Sequence, residues 1–417
     1  MLAVMCLFIT GFVIGILFPG GGTNNRPSRE ENRLEAEPEN ITAQKASAEI
    51  EQVIPMSGFV TVLYSDGTVR VSGNDQLSAA VSDWQYVERL YIDQLVDRVD
   101  GAYTYEYIIY GLTESGAVMA TNGSLSDWSN IKELHFSWQG VIGVTKDGKL
   151  LADGKWEDAF IQVLTTEMSN VETVVESSIQ RSFAVLKRDG TVCVISENGY
   201  IEPCYHWDNV KEVRNSGHAF YVIKEDGTVD GGVEGDQPGL DGAVKIVSYD
   251  DWLFGISADG RLLTHNGGSI YPNSGEIMVD VPGLLYYGEE VDIRQYHQIE
   301  EIIPCYGLIL LNKDGTVDAI GAMSGLDLSG WNDIEMIYTT SDFYSGMTTL
   351  YGIKHDGSVI TVCYYDSSMT QIETDQYRGW KLKKIYTGIG GVVGLTVDGK
   401  LVGDGIYENI DFTVFDK

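Results

Sequence analysis

The sequence predicts an all-β protein, a closed β-propeller of short three- to four-stranded blades, on three observations. A turn phrase recurs nine times, strand-like runs recur in fixed order around it, and the two ends of the repeat region complement each other. The phrase is Asp-Gly-x-Val/Leu, as in Asp226-Gly227-Thr228-Val229. Its glycines are Gly67, Gly116, Gly148, Gly190, Gly227, Gly260, Gly315, Gly357 and Gly399, and only the second copy replaces Asp, with Ser115. Asp-Gly between two apolar runs predicts a two-residue type I′ hairpin turn, because that turn needs φ > 0 at both central residues.

Three runs surround each turn. The first reads Trp-x-x-Ile/Val, as at Trp84–Val87, Trp128–Ile131, Trp207–Val210 and Trp331–Ile334, and less fully at Trp380. The second enters the turn and in five copies carries Gly five positions before the turn glycine: Gly111, Gly143, Gly255, Gly352 and Gly394. A residue without a side chain there predicts close approach of inner strands. The third run leaves the turn, as in Val69–Gly73. Units averaging about 41.5 residues with several short strands each bury their faces only against neighbours, as blades do. The repeat region, 58–417, opens with second and third runs and ends on Tyr407-Glu408-Asn409-Ile410-Asp411-Phe412, which resembles a first run. A C-terminal strand closing the first blade is therefore expected, with seven to nine blades.

The pattern Trp-x-x-Ile … Gly-Leu/Ile-x-x-Asp-Gly-x-Val resembles the repeat of the regulator of chromosome condensation family. It is closest to the short bacterial type, which includes a secreted β-lactamase-inhibitory propeller. The resemblance covers 58–417 and implies a propeller fold; known members mostly have seven blades, against nine turns here.

Before the repeats, Leu2 to Phe18 carries no charge, which is short for a membrane span and long for a signal-peptide core. Residues 1–18 are expected to be an N-terminal anchor or signal-anchor, giving a single-pass protein of the cell membrane. Residues 19–57 are polar and nearly free of aromatics, which predicts an unfolded stalk, with Ala43 to Val53 able to form a short helix. Arg26, Arg29 and Arg33 follow the apolar stretch and by the positive-inside rule would hold the body in the cytoplasm. A start lying further upstream with basic residues would remove that conflict, and an extracytoplasmic body is expected.

The net charge of −33 repels phosphate backbones, so nucleic acid is excluded as a partner, and the acidity fits a soluble exported protein. No Asp-x-Asp-x-Asp-Gly calcium loop occurs, the six histidines have no metal-ligand spacing, and no nucleophile motif or phosphate-binding loop is present. No catalysis, cofactor or metal is expected. Cys193 and Cys204 are symmetric about Asn198-Gly199; a two-residue turn there would face them across a hairpin, within disulfide range. Two packed thiols are the alternative.

Candidate binding residues lie where the spacing stretches, because extra length in a repeat protein goes into loops on one face. The 49-residue step holds Tyr103 and Tyr105 beside Asp97–Gly101, and the 55-residue step holds Tyr271, Tyr286, Tyr287 and Tyr296. Tyrosine offers rigid amphipathic contact area, suited to protein or glycan surfaces. Packing within the sheets is the competing reading for Tyr105 and Tyr107. The expected function is a membrane-anchored, extracytoplasmic protein-binding propeller. The alternative is a carbohydrate- or cell-wall-active enzyme with carboxylates in the central funnel.

Overall fold

A computed structural model describes residues 48–416, except 100–101, 138, 178–180, 217–218, 232–239, 250–251, 265–277, 280–290, 293–294, 306, 343–346, 366–369, 373–376, 378 and 389. Within them the chain folds as a propeller-like succession of antiparallel meanders. Nine sheets of three or four strands follow one another along the sequence, at 50–72, 87–120, 131–154, 171–207, 210–231, 243–264, 299–321, 334–372 and 382–405. A two-stranded ribbon (278–279 with 291–292) interrupts the sixth-to-seventh step. Two α-helices, Asp75–Val81 and Asp158–Thr166, bridge sheets.

Each sheet owes its bend to the repeated turn. In all nine copies the turn glycine has φ between 75° and 86°, and its N–H bonds the carbonyl three residues back. No Asp of the phrase has positive φ. The turn is therefore a type I turn closed by a left-handed glycine, a three-residue loop with a G1 bulge, not the expected type I′. In five copies the Asp carboxylate accepts from the backbone N–H two ahead, and at Lys149, Arg261 and Lys400 that N–H goes instead to the hydroxyl of Thr145, Ser257 or Thr396. Thr228 N and Oγ1 both donate to Asp226 Oδ1, at 3.0 and 2.7 Å. The glycine carbonyl then accepts the first N–H of the next sheet, as Val87 N to Gly67 O at 3.1 Å, stitching sheet to sheet.

Apolar seams fill the space between sheets. Phe59 and Leu63 meet Trp84, Val87 and Leu90; Ile309 and Leu311 meet Ile334, Ile337 and Leu350. The last seam joins Val60, Val62 and Tyr64 of the first sheet to Val393 and Leu401 of the ninth. First strands of most successive sheets lie side by side, and that of the ninth lies beside that of the first.

The ends depart from expectation. Ile50–Met56 is the first strand of the first sheet, pairing Met56 with Phe59, so the stalk-helix reading fails and the repeats begin near residue 50. With that slot filled, Tyr407–Phe412 adds no strand. It turns instead into a short 3-10 helix, 412–415, and caps the first sheet: Tyr64 Oη donates to Phe415 O at 2.7 Å and Ser72 Oγ to Asp411 O at 2.8 Å.

The glycines five before the turn are not there for strand approach. A Cβ on Gly143 would lie 2.5 Å from Trp128 Cζ3, on Gly352 2.8 Å from Trp331 Cζ3, and on Gly111 2.9 Å from Trp84 Cζ3. In these three copies glycine and tryptophan form one packing unit, whereas Gly255 makes room for Ala243 and Leu240 and Gly394 for Leu382.

The apolar stretch Leu2–Phe18 lies outside the described residues. Among those described, no helix is long and apolar enough to cross a membrane.

Candidate binding face

Hairpins between first and second strands all end on one side, opposite the glycine turns. Most first strands have seven residues, but the second sheet's runs Val87–Val99 and pairs with Ala102–Thr113 in unbroken register from Arg89 to Val99. The six extra residues carry this hairpin about 20 Å beyond its neighbours at roughly 3.4 Å per residue. The third strand, Val118–Ala120, pairs only with Tyr110–Leu112, so the outer part is a bare two-stranded ribbon. Leu95, Val96 and Tyr105 are 42%, 44% and 47% exposed on it.

The tyrosines of this step divide. Tyr107 packs edge-on against Phe59 at 5.1 Å, while Tyr91 and Tyr110 pack on Phe136 at 5.7 and 5.0 Å. These three belong to the seams. Tyr105 faces solvent opposite Val96, and Tyr103 lies on the second strand opposite Arg98.

Carboxylates stand at the base of the projection. Burial pushes Asp93 up to about 6. It pushes Glu176, near the end of the fourth sheet's first strand, up to about 8, with the charge of Asp93 adding to the shift. Sequence reasoning missed both, because nothing in the linear spacing of the 61 acidic residues marks which lose water. Nearby, Gln139 Nε2 donates to Glu197 Oε2 at 2.6 Å and Arg181 pairs with Glu197 at 3.2 Å, tying the third and fourth sheets' loops together.

Along the first strands, the third and fifth residues interact with one another or with the next sheet. Gln52 exchanges two hydrogen bonds with the Leu90 backbone, each 2.9 Å. His135 meets Glu133 at 3.0 Å, Arg214 meets Glu212 at 2.5 Å, and Lys245 meets Glu301 at 3.0 Å. Burial would raise Glu133, but hydrogen bonds from His135 and Thr173 outweigh it and hold the carboxylate low. This lining is largely self-satisfied. Among the described residues no three His, Cys, Asp or Glu side chains converge as metal ligands.

In the 55-residue step, Tyr271, Tyr286 and Tyr287 lie outside the described residues. Tyr296 stands three before Ile299, the place that Trp holds in other repeats, and packs half-buried against Phe254, Ile299 and Leu308. It is a repeat anchor, with one edge toward an open groove lined by Asn312, Lys313 and Asp318.

The disulfide reading also fails. Ser196 N bonds Tyr200 O and Gly199 has φ 82°, so the turn is again a three-residue loop. Val194 therefore opposes Glu202, while Val192 opposes Trp207, and Cys193 falls against a bulge in place of Cys204. Cys193 is a free thiol with Sγ 3.4 Å from Met168 Sδ.

No protein-family model matches the chain, and no curated protein sequence matches it. Solved structures similar to it include the computationally designed Ika8 protein (13% identity, covering 86% of this chain and 96% of that one, TM-score 0.39). The C-terminal WD40 domain of Sif2 is 10% identical over 86% and 98%, with TM-score 0.36, and human WBSCR16 is 12% identical over 90% and 94%, with TM-score 0.32. Similarity at this level carries no argument about the chain.

Proposed function

We propose that the chain is a closed, nine-bladed propeller of the regulator of chromosome condensation type. It binds a protein partner on the face where the first–second strand hairpins end, as an extracytoplasmic module held by its N-terminal segment. The observation that carries the binding reading is the 87–113 hairpin, which presents Leu95, Val96 and Tyr105 to solvent on a projecting two-stranded arm. Exposed aliphatic and aromatic groups gathered on one projection supply apolar contact area that a partner can cover. Closure is supported by the seam between ninth and first sheets and by the C-terminal cap on Tyr64 and Ser72. The resemblance in Asp-Gly turns supports the family. The test is affinity capture with the full chain against Leu95→Glu/Tyr105→Glu: capture of a discrete partner that the double variant loses supports this reading, and equal capture by both refutes it.

A second reading is favoured by the raised carboxylates Asp93 and Glu176, which lie on the same face. A protonated Glu176 beside an ionised Asp93 suits glycoside hydrolysis, which needs one carboxyl of each kind. Turnover on a glycan panel abolished by Glu176→Gln would establish it over the binding reading.

A further inference from the structure

We infer that the 87–113 hairpin takes its partner by strand addition. An extended segment of alternating basic and apolar residues pairs with the open edge of Leu95–Val99 as a third strand. The inference rests on the protein-binding reading above and names the partner's chemistry.

Only the 102–113 strand pairs with 87–99 among the described residues, so one edge of the projecting strand has no neighbour. Alternate N–H and C=O groups of an edge strand turn outward and accept an added strand. Natural sheets usually blunt such an edge with lysine, proline or a bulge. Residues 87–113 contain no Lys and no Pro, and the register is unbroken past Arg89. A bare two-stranded ribbon is marginal in water and gains from a third strand.

The two faces of the ribbon specify the occupant. Side chains alternate, so Asp93 and Leu95 share one face with Glu106, which lies directly opposite Leu95. Gln94 and Val96 share the other with Tyr107 and Tyr105. An added strand continues both faces, so its side chains alternate between an acidic neighbourhood and an apolar one. Basic residues suit the first and apolar residues the second. Charge also decides against a second copy of this hairpin. Between 93 and 106 stand Asp93, Asp97, Asp100 and Glu106 against Arg98 alone, four acids to one base, so two copies would repel.

The test uses the full chain and three fluorescein-labelled nonapeptides, read by anisotropy at about 0.15 M salt. The first alternates Lys and Val, the second alternates Glu and Val, and the third is the Lys–Val peptide with every backbone nitrogen methylated. The inference expects saturable binding of the first, none of the second, and binding at least about tenfold weaker for the third, which keeps its charge but lacks the donors. Val96→Lys should weaken the first peptide by a similar factor, while Val96→Thr, which keeps the strand, and Val244→Lys, an exposed site on the sixth sheet, should not. Equal binding of the N-methylated peptide, equal binding by Val96→Lys, or no binding of the Lys–Val peptide overturns strand addition. If the Leu95/Tyr105 variant still loses a captured partner under any of those outcomes, the binding face stands and only its mode is wrong.

Discussion

Replacing Gly352 by Ala tests the coupling between the motif glycine and tryptophan. Gly352 lies in the second strand of the eighth sheet, between Ile337 and Ile360. A Cβ there would meet Trp331 Cζ3 at 2.8 Å, Ile360 Cγ2 at 3.0 Å and Ile334 Cδ1 at 3.1 Å. Trp331 is 4% exposed and Ile334 2%, so neither ring nor methyl has free space to move into. On backbone entropy alone, Ala in a strand would stabilise by about 0.5–1 kcal/mol. Overpacking a closed site costs about 1–3 kcal/mol, so the net expectation is a loss of about 1–2 kcal/mol. Urea unfolding should show a lower midpoint at unchanged slope. Gly325→Ala, where a Cβ would meet nothing within 4 Å, should be neutral or stabilising. In a Trp331→Leu background the penalty at Gly352 should vanish, which a double-mutant cycle reads directly. Stabilisation by Gly352→Ala, or an unchanged penalty without Trp331, would refute the pairing.

Three further outcomes follow from named groups. Burial pushes Glu176 from an ordinary 4.5 up to about 8, so the unfolded chain releases its proton first and stability falls as pH rises between those values; Glu176→Gln should raise the unfolding midpoint at pH 8 and change it little near pH 4. Asp189, Asp226 and Asp314 are held below the usual carboxylate range by hydrogen bonds from Thr191, Thr228 and Thr316, so their contribution is complete above the ordinary carboxylate pKa and is lost as pH falls through the lower folded values; replacing all three by Asn should flatten the acid limb of a thermal-stability profile. Tyr377 Oη, buried, donates to Asp404 and meets Tyr351 Oη at 3.1 Å, so Tyr377→Phe should cost about 1–3 kcal/mol in a urea titration.

Much of the fold was legible because the repeated turn is local chemistry. A glycine able to take positive φ and a carboxylate two residues before a Thr or Ser dictate the same loop wherever they fall. The loop type was misjudged because Asp-Gly is compatible with both a two-residue and a three-residue closure, and strand twist and register decide between them. That one-residue difference also removed the Cys193–Cys204 pairing. The first strand at 50–56 escaped notice because no tryptophan introduces it. A weaker signal was present: Ile50-Glu51-Gln52-Val53 repeats the apolar-charged-x-apolar spacing of Ile131-Lys132-Glu133-Leu134 and Val210-Lys211-Glu212-Val213. The long spacing before Gly116 did mark the projecting hairpin. Which of its tyrosines face solvent depended on contacts such as Tyr107 with Phe59, formed across sheets and invisible in the chain order. The burial of Asp93 and Glu176 is likewise a property of packing.

The central claim, that this chain binds protein through the 87–113 face, is tested most directly by site-specific photo-crosslinking. A benzophenone amino acid placed at Val96 in the full chain should form a covalent adduct with a discrete partner protein, while the same probe at Val244, 69% exposed on the sixth sheet, should not. Adducts of equal yield and identity from both positions, or none from Val96, would contradict the account.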